Sequence, residues 1–410
     1  MQLHTGRPFW PIKDGLPAVY PALTGSIATE FVVLGGGITG AILAHRLVSA
    51  GHDVVVLDKR EVGSGSTSAT TALIQHELDI PAAQMARRAG AALTLEVHHA
   101  TRRAVRDFID WASGLPAPPN GTATHVLQRP TLKLASTKRD VRALHADFTF
   151  RQRAGFDVTW LTADDLALNY GMVRPAAVQS VDSAECDPYA LTHAILAEAV
   201  RLGARVFDRV PIRDVLFGNE WGDAVIVTTD SGHVVRGRSI VAATGYESTQ
   251  WFGRRPAALR NTYAMISEPI PEWKDGPWPD RCLVWETSHP YLYLRTTPDG
   301  RVMVGGEDDR FRTIIARDRR IERKAAQLVE KVAELMPHLV LEPAYSWAGT
   351  FGETPDALPR IGPVDGKPNL FVAACYGGNG ITFSMLAAEL LEARLKGEAH
   401  PLAECMRCDR

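Results

Sequence analysis

Two glycine-rich corners, one near each end of the chain, have the residue types and spacing to hold a long cofactor. The first follows Phe31-Val32-Val33-Leu34 and reads Gly35-Gly36-Gly37-Ile38-Thr39-Gly40. The second follows Leu370-Phe371-Val372-Ala373-Ala374 and reads Gly377-Gly378-Asn379-Gly380, continuing into Ile381 and Thr382. A strand–glycine–helix corner directs unpaired helix N–H groups, and the positive end of the helix dipole, at whatever lies beyond it. In the first corner Gly35, Gly37 and Gly40 match G-x-G-x-x-G. Gly35 permits the tight turn, Gly37 the approach of a pyrophosphate, and Gly40 close helix–strand packing. Asp58, eighteen residues after Gly40, ends the next apolar run and is placed to accept hydrogen bonds from both ribose hydroxyls of an adenosine. Lys59 belongs to the same stretch. One corner suits a pyrophosphate; the second suits the redox ring of the same molecule, where N–H groups from Gly378 to Ile381 would stabilise negative charge.

A second set of residues could act on a substrate. In an alternating strand Tyr291, Tyr293 and Arg295 share one face, and Leu292 and Leu294 the other. Tyr263, Trp285 and His289 lie nearby in sequence. Tyr263, Tyr291, Tyr293 and Arg295 are the candidates for roofing the redox ring. Arg295 either anchors an anionic substrate or makes a surface salt bridge; Trp285 either joins the roof or sits in the core.

The elements that position these groups read as a discontinuous α/β fold. Strand, helix from about Ile38 to Ala50, Gly51 stop and strand Val54–Leu57 form a βαβ unit. A Ser/Thr/Gly loop, Gly63 to Ser68, follows it. Residues 81–112 carry helical periodicity, and Thr162 with Asp165 forms a capping-box start. Asp187-Pro188-Tyr189 opens another helix, closed by Gly203, and the strand near Ser239 to Ala243 ends in Thr244-Gly245. Short aromatic strands occupy about 255–345, with a helix from about Arg319 to Leu335. These observations predict a Rossmann-like cofactor domain built from 1–80, 187–250 and 346–410. A second domain with a mixed or antiparallel sheet would come from 81–186 and 251–345, with the ligand cleft between the two.

Composition excludes several classes. The 410 residues are 45% hydrophobic and 22% charged, with net charge -2, as in an ordinary soluble protein. Basic residues such as Arg317, Arg319 and Arg320 are interrupted by acids without an aromatic platform, which argues against nucleic-acid binding. No apolar run approaches the ~20 residues of a membrane span. The five cysteines, an odd number without scaffold spacing, predict reduced thiols and a cytoplasmic protein. Cys405 and Cys408 read as part of a frayed tail rather than a metal site. The proline- and aromatic-rich N-terminus reads as an extended arm packed on the surface.

The order of these blocks resembles the D-amino-acid oxidase (DAO) superfamily of FAD-dependent oxidoreductases, which includes glycine and sarcosine oxidases. The resemblance covers nearly the whole chain. It rests on Val32 to Gly40, Gly65-Ser66-Thr67, Asp187-Pro188-Tyr189, Ala243-Thr244-Gly245, Trp347-Ala348-Gly349, Thr354 to Gly362 and Asn369 to Gly380. It implies FAD with its adenosine on Asp58, its pyrophosphate over Gly35 to Gly40, and its flavin between Ser66-Thr67 and the late glycines. It also implies hydride transfer from a C–N bond of an amine or amino-acid-type small molecule, with oxygen or another electron acceptor. The alternatives are oxidation of a 2-hydroxy acid or polyol phosphate, or an FAD-binding partner subunit without turnover.

The chain also departs from these relatives. Amino-acid-oxidising relatives carry an arginine two residues after the glycine of the Trp-x-Gly block, where this chain has Phe351. Sarcosine-oxidising relatives carry a lysine after the late corner, where Thr382 stands. Loss of a bidentate carboxylate partner costs ~2–4 kcal/mol of binding, which argues against simple glycine or sarcosine oxidation. Gly349, Thr350 and the histidine-free Ser66 to Ala72 loop predict non-covalent FAD.

Overall fold

The strand Phe31–Leu34 is apolar and buried at all four positions because it is covered on both faces. Its odd-numbered residues and the even-numbered residues of Val54–Leu57 face a helical layer. There Val33, Val54 and Val56 pack with Ile42, Leu47, Leu191, Ile195, Leu386 and Leu390. Val32, Leu34, Val55 and Leu57 face the other way, onto Val225, Val227 and Val235 of a small sheet. This is a computed structural model, and it describes residues 2–218, 224–252, 257–270 and 278–410.

Among the described residues the strands form three sheets. The first runs Arg360–Val364, Lys367–Ala374, Ser239–Ala242, Phe31–Leu34, Val54–Leu57, Arg205–Phe207 in spatial order. Its pairings are parallel except for the edge hairpin Arg360–Val364 with Lys367–Ala374. Strands from the start, middle and end of the chain thus lie side by side. That adjacency brings the two glycine corners to the same, carboxyl edge of the sheet, where ligands bind in such folds. The helices that follow them, Ile38–Ser49 and Gly380–Lys396, are joined at their first turns by Thr39 Oγ1 and Ser384 Oγ, 2.7 Å apart.

The largest sheet is mixed. Its Tyr293–Thr296, Val302–Arg310, Ala258–Ser267 and Pro343–Glu353 strands pair antiparallel, whereas Leu283–Glu286 and Leu127–Leu134 pair parallel. The helix Ile321–Leu335 covers it, burying Leu328, Val332 and Leu335 against Leu292, Leu294, Val302 and Val304. The helix Ala91–Ser113 and the capping box at Thr162 and Asp165 form as the sequence predicts. No helix among the described residues is long and apolar enough to cross a membrane.

Two expectations about the termini need correction. The N-terminal arm is not merely extended. His4–Gly6 adds a strand to Pro343–Glu353, and Phe9–Asp14 is a helix whose Phe9 and Trp10 are buried beside Ile266, Met303 and Trp347. The C-terminal tail is not frayed either. Leu402 and Met406 are fully buried, Cys408 is buried, and the Ile361 N–H donates to Met406 O at 2.7 Å. Apolar residues spaced through the tail, rather than its Cys-x-x-Cys pair, dock it on the core. All five cysteines are free.

Candidate functional site

A cavity of about 1480 Å³ lies where the first sheet meets the mixed sheet, and both glycine corners open into it. Gly35 has a φ of +105°, and a Cβ there would sit 2.5 Å from Ala243 O. At Gly40 a Cβ would sit 1.8 Å from Gly35 O, so that glycine is required for helix and strand to touch. Gly37 differs: its Cβ would meet only Thr67 Oγ1, at 3.0 Å. The space before Gly37 is therefore left open by the protein. Thr67 Oγ1 accepts the Ile38 N–H at 3.0 Å, fixing the helix start against the Ser66–Ala69 turn.

At one end of the cavity Asp58 Oδ2 accepts the Gly36 N–H at 2.7 Å, and Oδ1 accepts the Arg60 N–H at 2.8 Å. Burial pushes the Asp58 carboxyl above its ordinary value, opposed by these two N–H donors. Lys59 lines the same end and pairs with Glu247 at 2.5 Å. Ala243, Thr244 and Gly245 form the neighbouring wall. Thr244 Oγ1 accepts from Trp251 Nε1 at 3.1 Å, and Gly245 has a φ of +55°.

At the other end the late corner is fastened by its own side chains. Asn379 Nδ2 donates to Glu77 O at 2.9 Å, and Thr382 Oγ1 donates to Gln75 O at 2.9 Å. The corner is thereby tied to the strand Leu73–Gln75, leaving the first-turn N–H groups of Gly380, Ile381 and Thr382 as the polar lining. Gly377, with a φ of +59°, presents its carbonyl to the Tyr246 hydroxyl at 3.1 Å. Tyr291 and Tyr293 line the wall facing Gly378, whose Cβ would stand 3.3 Å from the Tyr291 hydroxyl. Trp285 lines the cavity as well as being buried.

The structure moves two candidate catalytic residues out of the site. Arg295 lies on the face expected, but the cavity ends at Tyr293, and two residues of strand carry the arginine ~7 Å further. There it is 1% exposed, donating to Glu185 Oε2 at 3.1 Å and to Cys186 O at 2.9 Å, with its guanidinium 5.2 Å from the Trp10 ring. It does not line the cavity, and its ion pair is buried rather than on the surface. Tyr263 is also 1% exposed; its hydroxyl donates to Asp309 at 3.2 Å beneath Ile321. The regular strand begins at Tyr293, with Tyr291 and Leu292 leading into it.

Two cavity acids are absent from the sequence reading. Asp79 accepts from the Tyr291 hydroxyl at 3.3 Å. Asp308 borders the cavity because the strand Val302–Arg310 bulges, its register shifting between Gly306 and Asp309. The bulge sends Glu307 to Lys324 and Lys331 on the covering helix and turns Asp308 inward. Gly305-Gly306 was the available signal. Burial, then the nearby Glu353 and Asp79 carboxylates, push Asp308 up to about 7, with Thr262 and Arg260 opposing. A carboxyl raised above its ordinary 3.8 supports the fold at low pH and loses that contribution as pH rises through about 7. Asp308→Asn is therefore expected to be more stable than the parent at pH 8 by about 1–3 kcal/mol, with little difference at pH 4. Thermal denaturation at the two pH values measures this.

FAD fits this lining on three observations: the open space before Gly37, the N–H groups of two helix starts, and Ser66 Oγ, which is buried on the cavity wall without a hydrogen-bond partner. Residues 30–394 match the profile of the FAD dependent oxidoreductase family, DAO. The chain is 24% identical over 398 residues to a glycine oxidase of Geobacillus kaustophilus, covering 89% of this chain and 93% of that protein. It is 23% identical to the putative Rieske 2Fe-2S iron-sulfur protein YhfW of Bacillus subtilis, over 96% of this chain and 73% of the relative. In fold it is similar to L-proline dehydrogenase from P. horikoshii, with a TM-score of 0.75 at 21% identity, covering 93% and 97% of the two chains.

Proposed function

Since the chain belongs to the DAO family of FAD-dependent oxidoreductases, we propose that it oxidises the C–N bond of an amine or amino-acid-type small molecule. The observation that carries this reading is the pair of carboxylates, Asp79 and Asp308, at the ring end of the cavity. They favour a substrate bearing a cationic nitrogen and oppose a 2-hydroxy acid or a polyol phosphate, whose anionic group would meet them. The names of the relatives, glycine oxidase and L-proline dehydrogenase, point the same way.

Bound FAD supplies a two-electron acceptor for the hydride leaving the substrate carbon, while nitrogen loses a proton and the C=N bond forms. The protein's share is to orient and to exclude water. In this reading Gly35, Gly37, Ile38, Thr39 and Gly40 hold the pyrophosphate, with Asp58 and Lys59 at the adenosine. Ser66 and Thr67, with Ala243, Thr244 and Gly245, wall the middle of the cofactor. Gly377 to Thr382 place N–H groups where negative charge collects on the ring. Tyr291, Tyr293 and Trp285 shape the substrate space above it.

The test is an anaerobic screen of amines, amino acids and hydroxy acids that follows loss of flavin absorbance. Reduction by an amine or amino acid is the expected result; reduction by hydroxy acids alone would overturn the C–N assignment. FAD is expected to be released by acid precipitation. No histidine lines the cavity among the described residues, and burial pushes the Cys375 thiol up to about 11, which keeps it from attacking the ring as a thiolate. Yellow colour remaining on the denatured polypeptide would contradict this.

A further inference from the structure

We infer that the ring end of the cavity is an ammonium box, formed by Asp79 and Asp308 against Tyr291 and Tyr293, and that it prefers amines with no carboxylate on the reacting carbon. This inference rests on the C–N reading above and narrows it to a substrate class.

The rings are set to meet a cation. Tyr291 and Tyr293 have centroids 5.7 Å apart with planes tilted by 53°, and Trp285 meets Tyr291 edge-on at 6.3 Å. A cation over such faces is attracted by the negative face of the ring. Trp285 already has the Lys133 ammonium 4.3 Å from its ring, and Lys133 pairs with Asp147 at 3.7 Å. Tyr293 rests one side on Gly305 and Tyr291 has His289 beside it, yet among the described residues neither tyrosine ring has a cation over it.

Among the described residues the acids have no cation at ion-pair distance; Lys133, whose charge reaches Asp79, is paired with Asp147, and His289 acts on Asp79 from further off. Neither Asp79 nor Asp308 forms a salt bridge among the described residues. Asp308 Oδ1 is buried without a hydrogen-bond partner. Arg260, the guanidinium closest in effect to Asp308, is held by Glu353 at 2.8 Å. A buried carboxylate without a counter-charge is unfavourable, and a substrate ammonium would supply that charge.

The same walls offer nothing to a neighbouring carboxylate. Phe351 occupies the place from which an arginine could reach, Thr382 spends its hydroxyl on Gln75 O, and Arg295 is locked to Glu185. Arg310 and Arg312 border the cavity but are exposed to solvent, so they fit an anionic group remote from the reacting carbon.

The test titrates the FAD-loaded enzyme anaerobically with matched pairs: dimethylamine against sarcosine, ethylamine against alanine, phenethylamine against phenylalanine. Binding is read from the shift in flavin absorbance. The amine of at least one pair is expected to bind ~10-fold or more tightly than its amino acid. Asp308→Asn and Asp79→Asn are each expected to weaken that amine ~10–100-fold while FAD content stays at the parent level. Tyr293→Leu, which leaves both carboxylates in place, is a further variant expected to weaken it ~3–10-fold. Tighter binding of the amino acid in every pair, or amine binding unchanged in these variants, would overturn the box while leaving C–N oxidation standing. So would failure of every amine to bind at millimolar concentration. Reduction by hydroxy acids alone would instead remove the C–N reading on which it rests.

Discussion

Gly37→Val protein is expected to fold, to purify in normal yield and to be colourless. In the structure a Cβ at this position meets only a hydroxyl oxygen at 3.0 Å, and that oxygen belongs to Thr67, whose side chain can turn. Gly37 has a φ of -78° and an extended ψ, which valine adopts readily. Loss of a tolerated N-cap residue costs the helix about 1 kcal/mol, which a chain of this size can absorb. The two added methyls project into the space that a pyrophosphate would need, so FAD affinity is expected to fall by ~100-fold or more, about 2.7 kcal/mol. Gly40→Ala is expected to behave in the opposite way. Its Cβ overlaps Gly35 O at 1.8 Å, so the helix must leave the strand, and stability falls by about 3 kcal/mol or more before any cofactor is considered. Circular dichroism, thermal midpoints and flavin absorbance, measured on both variants, separate the two roles. A Gly37→Val protein that stays as yellow as the parent would remove the phosphate-cradle assignment.

The same contrast explains what the sequence could and could not disclose. A glycine in a tight corner is legible because only glycine solves the local geometry, and Gly35, Gly40 and Gly377 each face such a requirement. The element order was legible for a related reason. Apolar runs of four to five residues flanked by helical periodicity have few other packings, and the alternating facing of Val32 and Val33 follows from it. The acids of the cavity were not legible. Glu307-Asp308-Asp309 reads as a solvated run, and only the bulge after Gly306 sends the three carboxylates to different places: a lysine pair, the cavity, and the Arg320 and Tyr263 side chains. Asp79 gave no signal at all, since its position depends on a strand three residues long that pairs with residues 183–185. The side-chain ties of Asn379 and Thr382 were equally hidden, because their acceptors lie more than three hundred residues away in the chain.

Arg295→Met is expected to destabilise the protein without changing how it binds substrate. The guanidinium is held by Glu185, by the Cys186 carbonyl and by the Trp10 ring, none of which lines the cavity. Methionine keeps much of the volume, yet it leaves the carbonyl without its donor and Glu185 with a single partner, Arg129, at 3.0 Å. Breaking one side of a buried ion pair commonly costs about 3–5 kcal/mol; the remaining arginine reduces that here to about 2–4 kcal/mol. The thermal midpoint should fall by several degrees, while the substrate dissociation constant and the limiting rate of flavin reduction, measured in the cold, should match the parent. A substrate anchor would give the reverse pattern, with affinity lost by one to two orders of magnitude and the midpoint unmoved. The double variant Arg295→Met, Glu185→Gln discriminates further. If the arginine's role is to neutralise a buried carboxylate, removing that charge as well should make the double variant less unstable than the sum of the two single losses. Because Trp10 lies in the N-terminal helix and packs under Arg295, the same variant should also loosen that helix first, seen as earlier proteolysis near Lys13 and Arg7. Cleavage there without any change at the substrate would show that this arginine clasps the chain's first residues to the mixed sheet.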